Sequence, residues 1–379
     1  MDKKKNIVSV YTRSGLTSPS SNYRILQYKK DIPCKVRDRV IVPDKIYSGY
    51  NRSTGLKRKL FQVLFYMLAY LRGSAFLLAD AICPPESIFV SRAIMPKIMG
   101  FPTKQLMEWA FRRTPKLVWD FDDNIFECGE ITTAERDLLL RYASTISVIG
   151  PFLKSLVPEK CHGKVVYLPT TDGDYANVDI SGLIEARKAR YDAGEVGMLW
   201  LATYTGLPFL EDIIPALDRA AEWGKQQLGK QLVLEVVCNR PLQMSTTHLE
   251  IRNIVWTPKV AKERTNLAHI GLMPLRNTVH AQGKGGFKLI QYMSAGLAAI
   301  GSAVGFSNDV IAEGVTGRLV SYSDLSQWTD AVTELCASWE RLAEMGLAGR
   351  KKWEEDFSYD ANLKKLTKIL CGEQNHENL

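Results

Sequence analysis

In the stretch GKGGFKLIQYMSAGLAAIGSAVG, residues 283–305, Lys284 and Lys288 stand on either side of Gly285 and Gly286. The run 287–295 that follows has the spacing of a short helix, and Gly296 is a natural stop for it. On that helix Lys288 and Gln291 are three apart and share a face, while Leu289, Ile290 and Met293 turn inward. Glycines at such a place leave backbone N–H groups open, and the helix dipole adds partial positive charge at the same end. Arg276, after the apolar run HIGLMPL, reaches the same space. A diphosphate suits this environment, and Gln291 offers both donor and acceptor groups to the hydroxyls of an attached ribose. The plainer reading is a surface helix with solvated lysines and glycines used only for turns. The stretch is neither GxxxxGK[ST] nor a GxGxxG after a strand.

A second cluster lies upstream. Asp120, Asp122 and Asp123 follow the strand-like run KLVW, near a strand's carboxyl end. They are placed to orient an acceptor hydroxyl, with Asp122 as base toward it. Alternatively, one caps the next turn and the others are solvated. Arg24, in SPSSNYR, faces an acceptor phosphate on one reading and makes a surface salt bridge on the other.

These residues need elements to hold them. A chain of 379 residues exceeds one ordinary core, so two domains are expected, and 46% hydrophobic with 24% charged residues is a globular balance. Apolar runs at 6–12, 87–91, 116–121, 145–149 and 164–168 read as strands, with helical patterns at 103–113 and 133–142 between them. The second half repeats the alternation, with strands at 196–202, 232–238, 254–257, 269–273, 298–302 and 318–320. Its helices fall at 208–228, 287–295, 307–313 and 325–345. Such alternation means parallel sheets covered on both faces. The fold class is α/β, two Rossmann-like domains facing each other, with ligands at the carboxyl ends of the strands in the cleft. The polar helix at 182–194 is the expected junction. The domains are therefore 1–190, 191–355, and a C-terminal helix at 356–379 packing back on the first.

Seven scattered cysteines without a CxxC pair argue against a disulfide framework or a zinc site and fit a reducing compartment. The start reads as a first strand rather than a signal peptide. Charge is uneven: residues 1–119 hold 22 Lys and Arg against 7 Asp and Glu, the remainder 27 against 34. So basic a front half points to an anionic partner. Without aromatic–basic interleaving, nucleic acid is not that partner. The most hydrophobic segment, 60–82, has Arg72 and Gly73 in its middle, only twelve residues after its start. That is too short a run to span a bilayer, so a transmembrane helix is not expected. It is either a buried helix on a sheet or, with Arg52, Lys57, Arg58 and Lys59 upstream, an interfacial helix on an anionic membrane.

The 283–305 stretch resembles the donor-site segment of the family 4 (group 1) retaining glycosyltransferases of the GT-B fold. Within them it is most similar to the branch whose motif runs KLxEYMAxGxPVVxSxVGxN. The matching residues are KLIQYMSAG (288–296), GSAVG (301–305) and Asn308. GVTGRLV (314–320), HIGLMPLRNT (269–278) and MLWLATYTGLPFLEDIIPAL (198–217) are similar to further family segments, as are SPSSNYRILQY (18–28), SIFVSRA (87–93) and LVWDFDDNIFE (117–127).

The resemblance implies transfer of a sugar from a nucleotide-sugar donor with retained configuration, the back domain holding the donor and the front domain the acceptor. No bound cofactor or metal is implied, although Asp120–Asp122 has DxD spacing. Lys284, Lys288 and Arg276 would neutralise the leaving diphosphate. Thr203 takes the family's Ser/Thr position, Gly285, Gly286 and Phe287 line the donor, and Gly305 and Phe306 let the next turn approach it. Two family glutamates are replaced by Gly283 and Gln291. His162, in KCHGK, is the only histidine before residue 195 and reads as part of a surface turn, not as the front-domain histidine some members use. The expected acceptor is a glycan or lipid-linked precursor in bacterial lipopolysaccharide or capsule synthesis, met in the cytoplasm at the inner membrane face. The alternative is a non-catalytic GT-B partner subunit that binds a nucleotide sugar or glycan.

Overall fold

The computed structural model describes residues 6–95, 97, 100–127, 129–173 and 178–372. The chain forms two units, Met1–Thr170 with Asp360–Leu379, and Thr171–Tyr359. The first carries β1 (Ile7–Thr12), β2 (Lys35–Val40), β3 (Ser87–Ser91), β4 (Lys116–Phe121), β5 (Thr145–Val148) and β6 (Val165–Tyr167). The second carries β7 (Glu195–Leu201), β8 (Gln231–Cys238), β9 (Glu250–Val255), β10 (Ile270–Met273), β11 (Ala298–Ser302) and β12 (Gly317–Val320). Both sheets are parallel, in the orders β2-β1-β3-β4-β5-β6 and β12-β11-β10-β7-β8-β9. Runs such as SIFVS and QLVLEVVC are apolar without alternation because helices cover both faces. The strand order reverses between β1 and β3 in one sheet and between β7 and β10 in the other. Loops leaving the carboxyl ends of those strands diverge and make a natural ligand position.

The boundary falls at 170/171, not at 190. The helix Ile180–Asp192, expected as the junction, is part of the second unit. Its buried Arg187 donates from Nε to the Asn266 carbonyl (3.0 Å) and from Nη1 and Nη2 to those of Gly296 (3.0 Å) and Ala295 (2.7 Å).

Two strands differ from the sequence expectation. β2, KVRDRV, was not expected, because its partners are ionic: Arg37 and Arg39 both bond the fully buried Asp80, which also accepts from Tyr11. β9 begins four residues before its expected start, at the polar EIRN of an edge strand. The helix expected across 208–228 is broken into Leu207–Glu211, Ile214–Trp223 and a π-turn at Gly224–Leu228. That expected across 325–345 is two helices, Leu325–Ala337 and Trp339–Lys352, with Ser338 capping the second through its bond from Arg341 N. The helix expected at 307–313 ends at Val310.

The apolar segment is a continuous helix, Gly55–Ile82, with no break at Arg72 or Gly73. Gly73 is helical beneath Met95, whose methyl group would collide with a Cβ there. Arg72 donates to the Val40 carbonyl (3.1 Å from Nη2) and stacks on Phe76. Phe65, Ala69, Gly73, Leu77 and Ala81, spaced by four, are buried, whereas Leu56, Leu60, Val63, Met67, Leu71 and Ile82 form an exposed apolar line. By length and composition alone the helix is long and apolar enough to cross a membrane, so the exclusion based on an internal break falls.

Candidate functional site

In the second unit the helix Phe287–Ser294 follows β10 and its apolar face is fully buried through Leu289, Ile290, Tyr292 and Met293. That packing fixes the opposite end, where Lys284, Gly285 and Gly286 precede the first turn. Gly286 has φ of 60° as the residue before the helix, and Gly305, after β11, has φ of 53°. A Cβ at Gly305 would strike the Gln282 backbone, so glycine lets the β11 loop close on the 283–286 loop. Phe306 is buried beside it and Phe287 is half-buried.

Lys288 is half-buried, and burial pulls its ammonium down to about 8 against the opposing attraction of Asp172. Its Nζ donates to Gln291 Oε1 at 3.4 Å, and Gln291 Nε2 donates to Asp172 Oδ2 at 2.9 Å. Gln291 is buried and both ends of its amide are engaged, so the expected ribose hydroxyl would have to share them. Thr203 is exposed after β7, its hydroxyl 2.9 Å from that of Thr205. Arg276 is also exposed, with Nε donating to Asp212 (3.0 Å) and to the Tyr322 hydroxyl (3.3 Å). Its expected diphosphate therefore has to compete with a carboxylate.

The acceptor-side expectations need correction. Arg24 and Asp120 do not face solvent: both are fully buried and pair with each other, Nε to Oδ2 at 3.1 Å and Nη2 to Oδ1. Arg24 further donates to the Leu168 carbonyl and to the Thr170 and Ser147 hydroxyls. This is a structural pair, since either charge alone would be buried at high cost. Asp122 accepts from Arg92 Nε (2.8 Å) and Ser20 Oγ (2.9 Å). Burial alone would raise its pKa, but Arg92 and Arg24 hold it below the usual carboxylate range, which makes it a poor base and a good anchor for Arg92. Asp123 lies 3.5 Å from Arg92 Nη2. His162 bonds the Val157 carbonyl within a 3-10 turn.

Several residues escaped the sequence reading. Asp172 sits in a loop 119 positions ahead of its partner Gln291, and no local pattern links them. Arg240, exposed after β8, stacks over Tyr204 with its guanidinium carbon 4.0 Å from the ring centroid, next to Thr203. The apolar strand ending in NR was its only signal. In the first unit, Arg13 and Arg92 leave the carboxyl ends of the adjacent strands β1 and β3. The β1–β3 register, ending at Tyr11↔Val90, sets them side by side two residues further on. Each follows an apolar run directly, but their meeting depended on the strand order.

Residues 193–338 match the family model for glycosyl transferases group 1. A comparison with the curated proteins finds no match. Among solved structures, the Anabaena protein HepE in complex with UDP is similar at a TM-score of 0.63 and 9% identity, covering 96% of this chain and 99% of that one. A glycosyltransferase from Rickettsia africae gives a TM-score of 0.61 at 13% identity, covering 98% and 100%. An α,α-trehalose-phosphate synthase (UDP-forming) from Burkholderia xenovorans, in complex with glucose-6-phosphate, gives 0.59 at 11%, covering 96% and 100%. The chain therefore has the GT-B fold, with two Rossmann-like domains.

Proposed function

We propose that this protein is a retaining glycosyltransferase that moves a sugar from a nucleotide-sugar donor to a glycan or lipid-linked acceptor in bacterial cell-surface polysaccharide synthesis. The observation that carries the reading is Lys288, a half-buried ammonium at the first turn of the Phe287–Ser294 helix, beside two glycines and with its charge disfavoured by burial. Asp172 acts on Lys288 through its charge while bonding Gln291, and a diphosphate supplies a further anion. As the donor's glycosidic bond breaks, negative charge grows on that diphosphate, and Lys288, Lys284 and the helix dipole would stabilise it. Gln291 and Asp172 hold Lys288 in place and meet the ribose, while Thr203 and Arg240 border the donor from the ends of β7 and β8. The UDP complex of a structural neighbour makes a UDP-sugar the first donor to test.

The acceptor side works at an anionic membrane surface on the cytoplasmic face. The exposed apolar line of Gly55–Ile82 begins beside Lys57, Arg58 and Lys59, the combination that seats a helix among acidic headgroups.

A thermal-shift screen with UDP-, GDP-, ADP- and CMP-sugars tests the donor site, because a ligand of the native state raises the midpoint with its concentration. One nucleotide should shift the wild type and leave Lys288→Ala unmoved, and the transferred sugar should keep its anomeric configuration by NMR. Donor binding without turnover on any glycan or lipid acceptor would instead favour a non-catalytic partner subunit.

A further inference from the structure

We infer that the cavity at the carboxyl ends of β1 and β3 is a subsite for an oxyanion, a phosphate or carboxylate, held by the side edge of Arg13. Only its assignment to the acceptor rests on the glycosyltransfer proposed above. The cavity has a volume of about 270 Å³ and is lined by Arg13, Ser18, Ser20, Ser21, Tyr47 and Arg92, among others. It lies where the strand order of the first sheet reverses.

Arg13 donates from Nη1 to Glu130 Oε2 at 2.8 Å. Its Nε and Nη2 are buried, and no group among the described residues accepts from them. These two nitrogens present parallel N–H groups at the spacing of two oxygens of one carboxylate or phosphate. The same edge of Arg24 holds the Asp120 carboxylate, and that of Arg39 holds Asp80, with Nε to Oδ2 at 3.2 Å and Nη2 to Oδ1 at 2.5 Å. At Arg13 no carboxylate among the described residues accepts from the fork; the buried Glu135 acts on Arg13 only through its charge. Burying unsatisfied donors is costly, which favours a ligand that accepts from them.

Arg92 shapes this cavity rather than binding in it. Its guanidinium is used by Asp122 (2.8 Å), Asp123 (3.5 Å) and Glu130 (3.3 Å). Its backbone is in the left-handed region, φ 63°, held by its N–H to the Asp120 carbonyl and by Trp119 Nε1 donating to its own carbonyl. Such strain in a non-glycine residue persists only where neighbours enforce it. Because Asp122, Asp123 and Glu130 are engaged with Arg92 and with Nη1 of Arg13, they leave the buried Nε–Nη2 edge without an acceptor, and a ligand reaches it by a small turn of the side chain toward the cavity. The Tyr47 wall packs on Phe65 of the Gly55–Ile82 helix, with ring centroids 6.5 Å apart, so the oxyanion has two sources: a soluble sugar or a lipid headgroup.

The test is calorimetric titration of the full-length protein with inorganic phosphate, glucuronate and glucose, and flotation with phosphatidic acid or phosphatidylcholine vesicles. A soluble source predicts that phosphate or glucuronate binds, glucose does not, and Arg13→Gln weakens binding at least tenfold. A lipid source predicts selective flotation on phosphatidic acid that Arg13→Gln reduces. Glu130→Gln, which releases Nη1 and removes a competing charge, should tighten binding several-fold in whichever arm responds. That rise also guards against a folding artefact in Arg13→Gln. Oxyanion binding that is unchanged in both variants, absent in both arms, or equalled by glucose would overturn the inference. The nucleotide-induced thermal shift in the same variants reports separately on the donor site, so failure of this subsite and failure of the glycosyltransferase reading are told apart.

Discussion

Arg24 and Lys288 are both cations that folding takes out of water, and the two units treat them differently. Arg24 is fully buried and matched to a carboxylate, two hydroxyls and a carbonyl, with Asp120 gripping it in a fork. Lys288 is half-buried with a neutral amide as its hydrogen-bond partner, and the nearby carboxylate of Asp172 is turned to that amide. A fully matched charge is a framework device, since no ligand can improve its surroundings. An incompletely matched one keeps a free-energy deficit that an anionic ligand can relieve. Position at the ends of parallel strands is shared by many polar residues, so the degree of matching is the criterion by which Lys288 is proposed as a binding residue and Arg24 is read as scaffold.

The largest effect should come from breaking the matched pair. Arg24→Ala leaves Asp120 buried and uncompensated, and it should cost about 3–5 kcal/mol in urea unfolding. A loss below 1 kcal/mol would return Arg24 to the list of binding residues. Gly305→Ala puts a Cβ on the Gln282 backbone at a positive φ and should cost on the order of 1–3 kcal/mol while weakening nucleotide binding several-fold. Wild-type donor affinity there would show that the two loops need not close together. Lys288→Met should act with the opposite sign on stability. Because burial lowers the pKa to about 8, the folded state disfavours the ammonium, so the nucleotide-free midpoint at pH 7 should rise.

The smallest effect concerns Glu135, a buried carboxyl that burial raises to about 7 against the N–H groups of Ile94 and Met95. The folded state keeps a proton between the ordinary value of 4.5 and about 7 that the unfolded chain has released, so stability falls as pH rises through that window. Midpoints measured from pH 5 to 8 should fall in the wild type relative to Glu135→Gln. Parallel curves would contradict the shift.

The same contrast explains how much could be read from the sequence. Strands such as β3 and β8 are legible because burial on both faces forces unbroken apolar runs, and the 283–305 stretch because glycine, lysine and helix spacing act within a few residues. β2 was missed because charged side chains converge on Asp80 where apolar ones were expected. Arg24 was misassigned because its partners Asp120, Ser147 and Leu168 come from distant parts of the chain. Asp172 and the Arg13–Arg92 pair are hidden for the same reason: Asp172 meets Gln291 from a loop 119 positions away, and the two arginines meet through sheet order, neither of which local periodicity encodes.

The most direct measurement is the UDP dissociation constant of wild type and Lys288→Ala between pH 7 and 9. If Lys288 is the cation that receives the diphosphate, wild-type binding should weaken above about pH 8, by up to about tenfold per unit, as the free protein loses that charge. Lys288→Ala should bind more weakly at pH 7 and show a flat profile. Equal affinities with parallel profiles would remove Lys288 from the donor site, and with it the central claim.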